Sequence, residues 1–217
     1  MRTYSHALLS YLLARRGIRV PRRAALASAA GAALPDVPAI AGAAVFALTG
    51  RWSGTPSAAP DHERLHEQVL DQLFFTGPIG TAGLALHSAV PVAGLLLALA
   101  LALALALALA RGAGRVDGRR LQAPLWFLLG WAGHVFVDFL THAEDSRPPL
   151  WPLSNWRWQS PVSYWDPEHF GVQFTLVEHA AVLLALSWIS LPSLRRLLSR
   201  TISRRRSGRR STPKGSS

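Results

Sequence analysis

The chain has 217 residues, half of them hydrophobic, and its 23 Lys and Arg against 12 Asp and Glu give a formal net charge of +11. A soluble domain disperses its apolar residues at helix or strand period; here they gather in long runs, which excludes that class. The chain contains no cysteine, which excludes disulfides and thiolate chemistry.

The first apolar stretch, Tyr4 to Ala14, carries His6. It is shorter than the ~20 residues of a membrane span, and it runs into Arg15-Arg16 without the small-residue site of a cleaved signal peptide. A basic turn bearing Arg15, Arg16, Arg19, Arg22 and Arg23 leads to Ala24 to Leu48, interrupted only by Pro35-Asp36-Val37-Pro38. The two segments predict a helical hairpin. At a rise of ~1.5 Å per residue, His6 and Asp36 both lie roughly 15 to 20 Å from the turn, hence at one depth. Pro35 and Pro38 are expected to break the returning helix and free backbone to line a site.

Asp61 to Leu73 reads as a polar external helix with His62 and His66 in solvent. His87-Ser88 stands at the entrance of Ala89 to Ala110, an uncharged and largely Leu-Ala segment. The alternation has strand period, but the length and the helix propensity of both residues predict a transmembrane helix.

Pro124 to Ala143 holds His134, Asp138 and His142. Spacings of four residues put the three groups on one slowly drifting helical stripe. Ionisable groups inside a span are costly and usually functional. On a regular helix, however, His134 and His142 are ~12 Å apart along the axis. Either one histidine stands behind the ligands, or Asp138 bridges two ions. The loop Glu144 to His169 follows, where Trp151, Trp156, Trp158, Tyr164 and Trp165 read as an interfacial aromatic belt and Asp166, Glu168 and His169 as loop polar groups. Phe170 to Leu194, with Glu178 and His179, is the last apolar segment before an arginine-rich tail.

The expected fold is all-α: an integral membrane helical bundle of about four transmembrane helices, plus a short N-terminal helix forming a hairpin with a Pro-broken span. Residues 1–195 form the membrane-embedded metal-site domain and 196–217 a basic disordered cytoplasmic tail. Alternate connections are arginine-rich, which predicts a multi-pass inner-membrane protein with both termini cytoplasmic. The tail has no aromatic interleaving, so attraction to anionic membrane lipids, not nucleic-acid binding, accounts for its charge.

His6, Asp36, His87, His134, Asp138 and His142 are the predicted metal ligands, converging in the outer half of the membrane. Mixed imidazole and carboxylate donors favour zinc, with manganese, iron or nickel as alternatives, in one or two ions. Asp138 and Glu178 are the predicted catalytic residues, Glu178 as base or as a partner orienting a histidine.

His6, Leu34-Pro35-Asp36, His87-Ser88 and Gly133-His134-x3-Asp138-Phe139-Leu140-Thr141-His142, followed by Trp151-Pro152-Leu153, resemble the YdjM-like membrane-bound metal-dependent hydrolases. The His-x3-Asp spacing is also similar to that of zinc-dependent phospholipases C. The resemblance implies a metal-dependent hydrolase. This chain departs from it at Gly83-Leu84-Ala85-Leu86, where the family pattern usually has His-Arg-Gly; His62 or His66 would then supply the missing ligand. The expected function is hydrolysis of a phosphoester or ester of a lipid or lipid-linked substrate by a metal-activated water. The alternatives are a metal-binding membrane transporter and a non-enzymatic membrane protein.

Overall fold

The computed structural model describes residues 1–49, 75–110 and 121–210, and among these every regular element is helical. Helix α1 (Thr3–Leu12) ends in a π-helical turn, Leu13–Gly17, and α2 (Arg22–Ala33) returns alongside it. The predicted hairpin is present. The predicted break is milder than expected. Pro35 has no N–H to donate, and the helix tightens into a 3-10 turn, Leu34–Asp36, before resuming as α3 (Val37–Thr49). Helical backbone therefore runs on from Arg22 through Leu48.

The discontinuity lies elsewhere. Helix α4 (Gly77–His87) and helix α5 (Ala89–Ala110) meet at Ser88, whose extended backbone bends the pair by 54°. Ser88 Oγ accepts the N–H of Val90 at 3.1 Å, an N-cap on the first turn of α5. It also donates to the carbonyls of Trp151 (2.6 Å) and Pro149 (3.1 Å). Helix α6 (Gln122–Thr141) carries the His/Asp stripe, and α7 runs Gly171–Arg210.

Among the described residues, three helical segments are long and apolar enough to cross a membrane: Arg22–Leu48, Gln122–Thr141 and Gly171–Leu191; the bent pair Gly77–His87 and Ala89–Leu105 makes up to four if it counts as one span. The predicted Leu-Ala helix is thus present, but as one limb of a bent pair. The chain divides into two compact units, the first Met1–Glu178 and the second beginning at His179. The tail predicted from residue 196 is helical as far as Arg210. The predicted external helix of residues 61–73 and the basic segment of residues 111–120 lie outside the described residues.

Helices α2 and α6 make the closest contact in the first unit. Ala24, Ala25, Ser28, Gly31 and Ala32 form the buried stripe of α2. A Cβ on Gly31 would collide with the carbonyl of Phe127, and one on Gly130 with the carbonyl of Ser28. The two backbones touch because both glycines lack a side chain, the close approach that small residues allow between helices. Beside this seam, Val92, Leu128, Trp131 and Val135 form the buried apolar cluster, with Leu34, Leu86 and Phe127 against it. Trp131 Nε1 donates to the carbonyl of Leu86 at 2.6 Å, one of the carbonyls that the end of α4 leaves without a helical partner.

Candidate metal centre

The site forms where α2 tightens, where α4 ends, and along the last turns of α6. Asp36 closes the 3-10 turn, His87 is the final residue of α4, and His134 and Asp138 lie one turn apart on α6. Their atoms Asp36 Oδ1, His87 Nε2, His134 Nε2 and Asp138 Oδ2 converge. His87 Nε2 is 3.5 Å from both carboxylate oxygens. His134 Nε2 is 2.9 Å from Asp138, 3.7 Å from Asp36 and 3.3 Å from His87 Nε2. A tetrahedral ion with bonds of ~2.1 Å has ligand–ligand edges of about 3.4 Å. The five edges that involve a histidine, 2.9 to 3.7 Å, bracket that value. Four ligand atoms lying within 4.8 Å of one another could hold a metal ion.

Proton bookkeeping favours a cation. His134 Nδ1 lies 2.7 Å from the carbonyl of Ala32, and His87 Nδ1 2.8 Å from that of Gly83. A carbonyl only accepts, so each Nδ1 carries the proton and, in the neutral ring, each Nε2 presents a lone pair. Two lone pairs and two carboxylates then face one another with His134 and His87 buried. Protonating both rings would set two imidazolium ions 3.3 Å apart at Nε2. A divalent ion compensates all four acceptors at once. Backbone carbonyls behind ligating histidines are the usual means of fixing tautomer and ring orientation.

The remaining predicted ligands surround Asp138. His6 Nε2 lies 2.9 Å from its Oδ1, and the His6 ring stacks on that of His134 with centroids 3.9 Å apart. The backbone nitrogen of Met1 also reaches Oδ1, at 3.2 Å. His142 Nε2 is 3.3 Å from Oδ2. The axial separation of His134 and His142 expected on a regular helix does not apply, because α6 stops at Thr141. His142 has extended backbone (φ −115°, ψ 125°), which turns its ring back toward Asp138. All six predicted ligands thus reach one carboxylate or its immediate partners.

Glu178 is a correction. Its Oε1 accepts the N–H of Arg2 at 2.8 Å and its Oε2 pairs with Arg2 Nη1 at 2.7 Å, so both oxygens are committed to α1 rather than to the cluster. The N-terminal residues that make these contacts stand at the far end of α1 from the basic turn. His169 is bonded to Asp166 Oδ2 at 2.6 Å within its own loop, as expected of a loop polar group. His179 begins the second unit. His62 and His66 lie outside the described residues.

Several residues of the site were not anticipated. Thr3 donates from Oγ1 to Asp36 Oδ2 at 2.6 Å. Asp145 Oδ2 is 2.8 Å from His142 Nδ1 and accepts Trp165 Nε1 at 3.1 Å. Burial would raise the Asp145 pKa, but the His142 hydrogen bond and charge bring it below the usual carboxylate value. Its spacing, three residues after His142, was the available signal. Tyr164 leaves the predicted aromatic belt and sets its ring 5.0 Å from that of His142; burial and the charges of Asp145, Asp138 and Asp36 push its pKa up. Arg147 faces the same carboxylates: burial lowers its pKa, and the charges of Asp138, Asp36 and Asp145 oppose that shift.

The loop that carries these groups is strapped to helix ends. The carbonyls of Leu140, Thr141 and His142, at the end of α6, accept Ser160 Oγ (2.6 Å), Tyr164 N (3.1 Å) and Ser160 N (2.9 Å). Pro149 accepts the N–H of Ala89 at 2.8 Å. Arg147 is held between these two anchors.

Two spaces adjoin the cluster. A small, partly open cavity of about 20 Å³, room for one water, is lined by His87, Asp138, His142, Ser146 and Arg147 among others. A larger open groove of about 690 Å³ runs between α1 and α3, with Asp36, Asp138, His142, Arg147 and Tyr164 at its polar end. No family model, curated protein or solved structure matches this chain.

Proposed function

We propose that this chain is an integral-membrane metal-dependent hydrolase that cleaves a phosphoester or ester bond of a lipid or lipid-linked substrate. The observation that carries the reading is the acceptor-only cluster of Asp36, His87, His134 and Asp138, whose two histidines are both locked with Nε2 inward. Helices long and apolar enough to cross a bilayer carry three of these four residues, and His87 ends a limb of the bent pair. The resemblance of the Gly133 to His142 block to the YdjM-like hydrolases is part of the same reading.

Asp36, His87, His134 and Asp138 would hold the ion, and the imidazole–carboxylate donor set suits zinc, with manganese or iron as alternatives. When bound, a divalent ion supplies Lewis acidity and a water acidified to a pKa of about 7. The proton-accepting role falls to His142 rather than Glu178. His142 lines both the small cavity and the groove, and Asp145 behind its Nδ1 orients the ring and stabilises its protonated form. His6, stacked on His134 and bonded to Asp138 Oδ1, fixes the carboxylate's orientation.

A membrane metal transporter is the second reading, favoured by one observation: a bent helix pair meets at Ser88, directly after the ligand His87, and discontinuous helices line ion sites in transporters. Detergent-purified protein analysed for metals, then assayed for metal-dependent hydrolysis and, in vesicles, for metal flux, separates the readings. Stoichiometric metal with hydrolysis lost in Asp138→Asn supports the hydrolase. Flux without turnover supports the transporter. Wild-type protein that binds no divalent ion refutes both.

A further inference from the structure

The two spaces beside the cluster meet different residues of it. The groove borders Asp36 but not His87; the small cavity borders His87 but not Asp36. Asp138 and His142 line both. The groove, at about 690 Å³, lies within the ~300–1,000 Å³ of small-molecule sites. The cavity, at about 20 Å³, admits a single water.

Ser146 reaches the cavity because of the way α6 ends. The helix stops at Thr141, and the N–H of Ser146 donates to the carbonyl of Ala143 at 3.2 Å. That bond closes a tight turn, which sets Ser146 in the cavity wall together with His142. Ser146 is 3% exposed, and among the described residues its Oγ has no hydrogen-bond partner. A hydroxyl buried without a partner is destabilising, and a water in the adjoining cavity would supply one. Such a water needs two to four polar partners of its own. The Ser146 hydroxyl, the Asp138 carboxylate and the His142 ring make three. With Nδ1 bonded to Asp145, a neutral His142 presents a lone pair at Nε2. Arg147 also lines the cavity, but Asp36, Asp138 and Asp145 answer its charge.

Resting on the hydrolase reading of the cluster, we infer that the attacking water is seated in this cavity, with Ser146 as the residue that positions it, while the substrate occupies the groove. The water donates one hydrogen bond to His142 Nε2 and one to Ser146 Oγ, which leaves its lone pairs free for attack. Its oxygen forms the new bond to the phosphorus or carbonyl carbon, and one of its protons passes to His142. The bond to the leaving oxygen breaks and that oxygen takes the proton from His142, so the products are an acid and an alcohol. His142, lining both spaces, is the residue placed to carry the proton from one to the other.

The probe is fluoride, an anion small enough to sit where a water does and able to accept the Ser146 hydroxyl. It is titrated into cobalt-loaded, detergent-purified full-length protein and followed by the visible absorption of the ion. Wild type is expected to bind fluoride. Ser146→Ala should bind it roughly tenfold to a hundredfold more weakly, the range of a hydrogen bond to a charged group, with cobalt content unchanged. Val135→Ile keeps the hydroxyl and adds a methyl group to the cavity wall. It should weaken fluoride too, and it gives the reading should Ser146→Ala fail to fold. A second measurement offers bis(p-nitrophenyl) phosphate and p-nitrophenyl butyrate as substrates. For whichever is turned over, Ser146→Ala should lower kcat by about 10–100-fold and leave KM as in wild type, because the substrate lies in the groove. Wild-type fluoride affinity in Ser146→Ala overturns the proposal, and so does a loss confined to KM. Fluoride binding that depends on Ser146, with neither probe hydrolysed, leaves the water's place standing and counts against the hydrolase reading alone. Wild-type protein that takes up no cobalt sinks the metal cluster and this inference together.

Discussion

His134 sits 2.9 Å from Asp138 across one turn of the same helix, while its other ring nitrogen is bonded to Ala32 on a neighbouring helix. That single imidazole therefore couples the α2–α6 seam to the ligand cluster. Position, tautomer and lone-pair direction are all set before any ion arrives, which is the preorganisation a metal site needs.

Removing either member of that pair should empty the site. Asp138→Asn or His134→Ala is expected to lower bound metal from stoichiometric to near background, measured by elemental analysis after detergent purification. Acid should do the same to wild type, because ligating imidazoles must be neutral and protons compete with the ion for them. Metal removal by a chelator should lower the thermal midpoint, because an ion that binds only the folded chain stabilises it by mass action. A midpoint indifferent to chelator would contradict the assignment.

Asp145 acts on the site through His142. Asp145→Asn keeps the shape but weakens the orientation of the ring and the stabilisation of its charged form. Losses of about 10–100-fold are typical when such a supporting partner is changed. The expected result is a fall of that size in kcat with metal content retained, since the four convergent ligands are untouched. Loss of metal in this variant would move His142 from the proton-transfer role into the ligand set.

Glu178 is expected to matter for stability and not for chemistry. Its side chain is fully buried, and both oxygens are engaged by Arg2. Glu178→Gln weakens two charge-assisted hydrogen bonds, each of about 1.5–3 kcal/mol, so the unfolding midpoint should drop while metal stoichiometry stays at the wild-type value. A variant of normal stability and no activity would restore the catalytic role that the sequence suggested.

Gly130 and Gly31 test the seam. A methyl at either position meets a backbone carbonyl rather than a flexible side chain, and the helices must separate to admit it. Gly130→Ala should destabilise by about 1–3 kcal/mol, as overpacking does, and should also reduce metal affinity because His134 takes its orientation from Ala32 across the same seam. Thermal unfolding and metal titration of one preparation measure both effects.

Much of the site was legible in the residues. Polar groups are so costly in long apolar runs that His6, Asp36, His87, His134, Asp138 and His142 stood out without any knowledge of the fold, and hairpin geometry put His6 and Asp36 at one depth. The arithmetic failed at His142, since helical rise predicts nothing once the helix has stopped. It failed at Pro35 too: a missing N–H can be absorbed by a tighter turn, and only neighbouring helices decide whether the chain bends.

The sequence by itself determined the helical class of the described residues and the chemistry of the candidate ligands, because hydrophobic run length, helix propensity and residue type are local properties. Tertiary structure alone decided which nitrogen of each histidine faces inward, that Glu178 belongs to Arg2, and that Asp145, Arg147 and Tyr164 join the site. Those depend on which backbone carbonyl or loop a side chain meets across the fold. Residues in an irregular loop carry no periodicity from which such a meeting could be read.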